Sequence, residues 1–261
     1  MARIVHIALK VNDLDKATRF YEDVFGLYQT KTGHARGHVS RHMTDGNIDL
    51  ALMVYDSENE SEAQLSGPGP CIHHWGIEVE NREETMRKIE ENGGTIFSDR
   101  GEGALKFRAP DGNLAEIVEV GRYKKKGMSK VSRIVHLALK VEDLEKATRF
   151  YENVFGFKQG KTGHSRQHIS RHMSDGETDL ALMVYDSEDA PEAKLAGPGP
   201  RIHHWGLEVA DQEAFAEKIK QYGGTIISQK GEGALKFRSP DGTLAEIVSA
   251  GRYEKMKAKP A

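Results

Sequence analysis

Six histidines in the first part of the chain, His6, His34, His38, His42, His73 and His74, recur 130 positions on as His136, His164, His168, His172, His203 and His204, and together they are all 12 of its histidines. Residues 1–123 repeat at 131–253 without an insertion, agreeing at roughly two-thirds of positions. The differences fall mostly in polar stretches, as in EVENREETMRKIEENGG against EVADQEAFAEKIKQYGG. Imidazoles and carboxylates retained in both copies, while helix surfaces drift, point to a site in each half. Metal ligation and proton transfer are the chemistries these side chains serve.

Two further sets stand out. His38 and His42 (His168 and His172) share strand parity with Ser40, opposite Val39, Arg41 and Met43, which suits acid–base groups facing a cavity. With His34 they are spaced like a helical zinc motif, but glycines and strand-like flanks argue against a helix there. Lys106 and Arg108 (Lys236 and Arg238) alternate with Leu105 and Phe107, and two fixed cations on one strand face imply a carboxylate, phosphate or enolate in the substrate. Gly101 and Gly103 bracket Glu102 just before them, as in a mobile lip.

The elements that must position these groups are readable. IVHIALKV alternates, with Val5, Ile7, Leu9 and Val11 on an apolar face and His6, Ala8 and Lys10 on the other. Asp13 caps a helix whose apolar stripe runs from Leu14 to Phe25 and which Gly26 stops. Three strand-like segments follow, LYQTKTG, HVSRHM and IDLALMVY, then an acidic loop over 56–70. The order then restarts: CIHHWGIEV as strand, REETMRKIEEN as helix, and TIFS, ALKFR and LAEIVEV as strands. On CIHHWGIEV, alternation sends Trp75, Ile77 and Val79 to the core, His74, Gly76 and Glu78 to the cavity, and His73 to the face opposite His74. The fold class is therefore α+β, with four strand–helix–strand–strand–strand modules in all.

Bulk properties narrow the partners. At 261 residues the chain is long enough for two domains, each with a buried core. The expected division is a first copy over 1–123, a basic linker over 124–130, a second copy over 131–253 and a tail over 254–261. A net charge of −3 gives no general attraction to nucleic acid or anionic membrane. The N-terminal apolar run is short and carries His6 and Lys10, so neither a signal peptide nor a membrane span is expected. Cys71, the single cysteine, is replaced by Arg201 in the other copy, which excludes a disulfide framework and fits a reducing cytoplasm.

Modules in this order, opened by HIALKVNDLDKATRFYEDVFG and closed by PDGNLAEIVE, resemble the vicinal oxygen chelate superfamily. That family includes glyoxalase I, fosfomycin-resistance enzymes and extradiol dioxygenases. The resemblance covers both halves and implies modules paired into two glyoxalase-like domains, whose curved mixed sheets enclose a metal cavity. It places metal ligands at His6, His74 and Glu116, and at His136, His204 and Glu246. Two imidazoles and a carboxylate suit a divalent metal with open positions, Fe(II) first, with Mn, Zn, Ni or Co as alternatives. Asp49 (Asp179) stands near the position where glyoxalase I supplies a glutamate, and its shorter side chain would reach a metal through water.

Two activities follow from the resemblance. PRIHHWGLEV and RSPDGTLAEI are similar to extradiol dioxygenase segments, which implies an Fe(II)-dependent dioxygenase acting on a small anionic aromatic or enol substrate. The chain departs from the ring-cleaving pattern at Lys106, in place of a tyrosine, and at Ile48, near an acid–base histidine, which argues against catechol itself. The alternative is a glyoxalase I-like or epimerase-like lyase or isomerase, with Asp49 and Glu116 moving the proton. Metal-free binding, as in bleomycin-resistance proteins, is disfavoured because both ligand sets are present. Homo-oligomerisation is left open.

Overall fold

The computed structural model describes residues 2–98, 102–123, 129, 131–228 and 232–256. Most of the expected linker, Gly101 of the lip, and the end of the tail lie outside them.

The first repeat runs β1 (Arg3–Lys10), α1 (Leu14–Phe25), β2 (Tyr28–Ala35), β3 (His38–Thr44), β4 (Asp49–Tyr55), α2 (Ser61–Gln64), β5 (Cys71–Val79), α3 (Arg82–Glu91), β6 (Thr95–Ile96), β7 (Ala104–Arg108) and β8 (Leu114–Glu119). The second runs β9 (Ser132–Lys140), α4 (Leu144–Phe155), β10 (Lys158–Ser165), β11 (His168–Ser174), β12 (Asp179–Tyr185), α5 (Pro191–Ala196), β13 (Arg201–Val209), α6 (Gln212–Gln221), β14 (Thr225–Ile226), β15 (Ala234–Arg238) and β16 (Leu244–Ser249). Short α2 and α5 interrupt the stretches read as plain loop.

Each half forms one mixed eight-stranded sheet, in the order β2-β3-β4-β1-β5-β8-β7-β6 and its repeat, so modules pair within a half. The caps are as the sequence predicts: Asp13 accepts from the Lys16 amide, and Gly26 closes α1 in the left-handed region at φ 65°.

Register lines up the chemistry. Thr44 pairs with Asp49, Asp49 with His6, His6 with Gly76, Gly76 with Glu116 and Glu116 with Lys106, one row across six strands. The second sheet carries the equivalent row from Ser174 through Asp179, His136, Gly206 and Glu246 to Lys236.

Two irregularities overturn strict alternation. The β1–β5 ladder shifts register between Ile4 and His6, leaving Val5 as the extra residue, and again between Ala8 and Leu9, leaving His73 as the extra one. Ile4 therefore joins the main core, while Val5 clusters with Ala104 and Val118. His73 lies beside His74, not on the opposite face, with ring centroids 5.0 Å apart.

The apolar backs of the two sheets share one continuous core across the halves, where the sequence suggested separate ones. The reason is the aromatic stripe of α1 and α4. Tyr21 packs 5.7 Å from Trp205 and its hydroxyl donates to Asp241, while Tyr151 packs 5.8 Å from Trp75 and donates to Asp111. Backbone contacts are exchanged too. The Ile4 amide donates to Asp175 and the Ile134 amide to Asp45, so each ligand-bearing first strand is pinned by a turn of the other half. Among the described residues, no helix is long and apolar enough to cross a membrane.

Candidate metal centre

The concave face of each sheet holds a cavity of about 280 Å³ in the first half and about 270 Å³ in the second. His6, His74 and Glu116 place donor atoms within 4.8 Å of one another at its floor, as do His136, His204 and Glu246. Gly76 makes this approach possible. A Cβ on it would stand 2.9 Å from the His6 Cβ, closer than real side chains come, and 3.2 Å from the Glu116 Cγ, so the ligands would have to shift. Added volume in a packed site costs about 1–3 kcal/mol. Gly76→Ala is therefore expected to weaken metal binding in the first half about tenfold or more by calorimetry. Unchanged affinity would show that the two ligands need not stand where they do.

The hydrogen bonds leave the right atoms free. Burial pushes the Asp49 carboxyl up, but hydrogen bonds from His42 and His6 outweigh it and hold the group at about 2, so it accepts. The Nδ1 atoms of His6 (2.7 Å) and His42 (2.8 Å) then both donate to Asp49 Oδ2, and Nε2 of each ring is the nitrogen available to a metal or a proton. Asp179 receives His136 at 2.6 Å and His172 at 2.9 Å in the same way. A carboxylate on the far nitrogen of a ligating imidazole fixes tautomer and ring orientation.

His74 reaches the same state by a different route. Burial holds His73 at about 4 and His74 at about 3, so both are neutral and each carries one N–H. His73 Nε2 lies 2.8 Å from the Glu62 carbonyl, which can only accept, so that nitrogen holds its proton. The 2.8 Å contact between the two Nδ1 atoms then requires His74 to donate to His73. His74 Nε2 is left as a lone pair facing Glu116 Oε2 at 3.4 Å. Burial raises the Glu116 carboxyl, yet His74, His6 and Lys106 hold it below the ordinary range. Two acceptors opposed in a dry site call for a cation between them, so the donor set fits a divalent metal.

Sequence reasoning missed Tyr123. Its hydroxyl donates to Glu116 Oε1 at 2.6 Å, and its ring stacks on His6 at 4.4 Å. Tyr253 does the same with Glu246 and with His136 at 4.2 Å. The signal is present, since Gly121-Arg122-Tyr123 returns as Gly251-Arg252-Tyr253, but nothing in its spacing sets it apart from the end of the repeat. Glu62 and Arg36 were missed as well.

The remaining candidates divide. His38 and His42 (His168 and His172) line the cavity, as do Lys106 and Lys236. Lys106 is not the free cation expected, because Glu62 neutralises it at 3.1 Å, and Glu192 neutralises Lys236 at 3.3 Å. Arg108 and Arg238 are not in the cavity lining. Arg108 donates to the Gly112 and Leu65 carbonyls, and Arg238 to those of Gly242 and Leu195, so these arginines tie a turn and a loop together.

Eight-stranded sheets built from paired modules around a two-histidine, one-carboxylate cavity define a tandem metal-site architecture. The model described as the Glyoxalase/Bleomycin resistance protein/Dioxygenase superfamily matches residues 3–117 and again 133–247, and the chain belongs to that family. Its sequence is 24% identical over 246 residues to a probable chloroplastic lactoylglutathione lyase of Arabidopsis thaliana, covering 88% of this chain and 66% of that protein. The fold is similar to the 2,3-dioxygenase LapB of Pseudomonas sp. KL28, with a TM-score of 0.67, 16% identity and 98% and 96% of the two chains covered. It is equally similar to the Mn(II)-bound glyoxalase of Novosphingobium aromaticivorans, with a TM-score of 0.65, 17% identity and 100% and 89% covered.

Proposed function

We propose that each half is a metal-dependent catalytic site, and that the activity is that of an Fe(II) dioxygenase acting on a small anionic substrate with adjacent oxygens. The observation that carries this is the position of Asp49. Its donor atom lies within 4.8 Å of those of His6 and His42, but its carboxylate is taken up by hydrogen bonds to both rings, and we infer that it orients them and leaves two histidines and one carboxylate as ligands, with several positions open. A divalent metal there supplies a Lewis-acidic centre for vicinal oxygens and, as Fe(II), for O₂.

The protein's own groups do the rest. His42, oriented through Nδ1 by Asp49, presents Nε2 to the cavity and takes the proton of a substrate hydroxyl, while Asp49 stabilises the imidazolium that results. Tyr123 occupies one Glu116 oxygen and leaves the other for the metal. Ala51 and Met53 give the wall an apolar patch for the substrate's carbon frame. His42→Ala with His172→Ala is expected to lower turnover about 10²–10⁴-fold with metal content unchanged. Turnover within a few fold of the parent protein would remove His42 as the base.

A second reading, a glyoxalase-type lyase or isomerase, is favoured by the lactoylglutathione lyase named among the relatives. An oxygen electrode separates the two. Substrate-dependent O₂ uptake by the Fe(II)-loaded protein supports the dioxygenase. Turnover of a methylglyoxal–glutathione hemithioacetal in anaerobic buffer with Ni, Co or Zn, without O₂ uptake, replaces it with the lyase.

A further inference from the structure

We propose that Arg122 and its counterpart Arg252 recognise a carboxylate on the substrate, and so set the substrate class as a carboxylic acid that also carries a vicinal oxygen pair. The proposal rests on the chelating metal centre proposed above. It accounts for two features that centre does not use, the second glycine of the Gly-Glu-Gly lip and the arginine of Gly-Arg-Tyr, both present in each copy.

The charge balance of the cavity singles these arginines out. Lys106 is paired with Glu62, and Arg36 with Glu62 at 3.2 Å and Glu102 at 2.8 Å. Lys31 lines the mouth as well, but its ammonium is a point charge without the planar fork that matches a carboxylate. Arg122 lines the same cavity from an exposed position and Arg252 lines the other half-buried, and neither guanidinium has a hydrogen-bond or ion-pair partner among the described residues. In the second half, the Nε of Arg252 is buried without a partner. A partly desolvated guanidinium left without an acceptor is a site that an oxyanion completes.

The two arginines have the same surroundings. A Cβ on Gly103 would meet the Arg122 guanidinium, and one on Gly233 would stand 2.6 Å from Arg252 Nη1, so each glycine leaves room for the end of its arginine side chain. Arg122 lies 5.9 Å from the centre of the Tyr123 ring, and that ring stacks on His6. The guanidinium therefore lies beside the tyrosine that stacks on a metal ligand, in the wall of the same cavity. A planar fork of two N–H donors matches a carboxylate, and one unpaired positive charge matches a monoanion better than a dianionic phosphate, which would also face Glu62.

The test uses the full chain loaded with Fe(II) under anaerobic conditions. Catechol, 3,4-dihydroxybenzoate and 3,4-dihydroxyphenylacetate serve as probes, sharing one vicinal diol and differing in the carboxylate. Calorimetric titration is expected to show at least one acid binding about tenfold or more tightly than catechol. R122M with R252M should erase that preference and leave catechol binding as it was. G103A with G233A should reduce the preference while keeping both arginines. Equal affinity for all three probes in the parent protein, or a preference that survives R122M with R252M, overturns the proposal while leaving the metal centre standing. Absence of metal-dependent binding by all three diols overturns the dioxygenase reading and this proposal with it.

Discussion

Replacing His74 and His204 together with alanine is expected to abolish stable metal binding, with affinity falling by orders of magnitude. Replacing His73 and His203 with phenylalanine is expected to lower affinity about 10–100-fold, the usual cost of removing an outer partner of a ligating imidazole. Each His74-type residue supplies the Nε2 lone pair, whereas its neighbour fixes which nitrogen that lone pair occupies. Phenylalanine keeps an aromatic ring in the bulge but offers Nδ1 of the next residue no acceptor. Competition with a chromophoric chelator gives both affinities. Metal binding by the His73 and His203 variants equal to that of the parent would mean the relay from the Glu62 carbonyl has no bearing on the ligand.

Acid should destabilise the metal-stripped protein well before its carboxylates titrate. Burial holds His73 at about 4, His74 at about 3 and His204 at about 4, and holds His203 well below its ordinary value. In the unfolded chain these imidazoles bind a proton near pH 6.5, so below that pH the unfolded state carries more protons than the folded one. Stability is complete above about pH 6.5, falls as pH drops through it, and goes on falling toward the folded values near 3–4. Each histidine contributes a slope approaching about 1.4 kcal/mol per pH unit in that window. Urea midpoints measured between pH 7.5 and 5 should drop steeply. A flat profile would show that these imidazoles take up protons in place without loss of the fold.

Much of this was legible in the sequence because repetition and alternation are local signals. Asp13 and Gly26 bound α1, apolar spacing fixed its stripe, and parity brought His74 and Gly76 to the cavity. Alternation failed at the bulges, because Val5 and His73 are extra residues accommodated by a partner strand that the local pattern does not reveal. Charge patterns failed for a related reason. Lys106 looks like a free cation until α2 brings Glu62 against it, and Arg108 looks equivalent until the loop carbonyls at Leu65 and Gly112 take its donors. Tyr123 follows the last strand of its repeat, where no periodicity marks it, and only its return as Tyr253 gave a hint. The shared core had its cue in Phe20, Tyr21 and Phe25, a stripe wide enough to serve two sheets.

The account rests on two equivalent metal centres in one chain, and metal stoichiometry tests it most directly. Anaerobic reconstitution with Fe(II), followed by elemental analysis of the desalted protein, should give two metals per chain, falling to one when Glu116 alone is replaced by alanine and to one when Glu246 alone is. One metal per chain or fewer in the parent protein, or a stoichiometry that neither replacement changes, would contradict it.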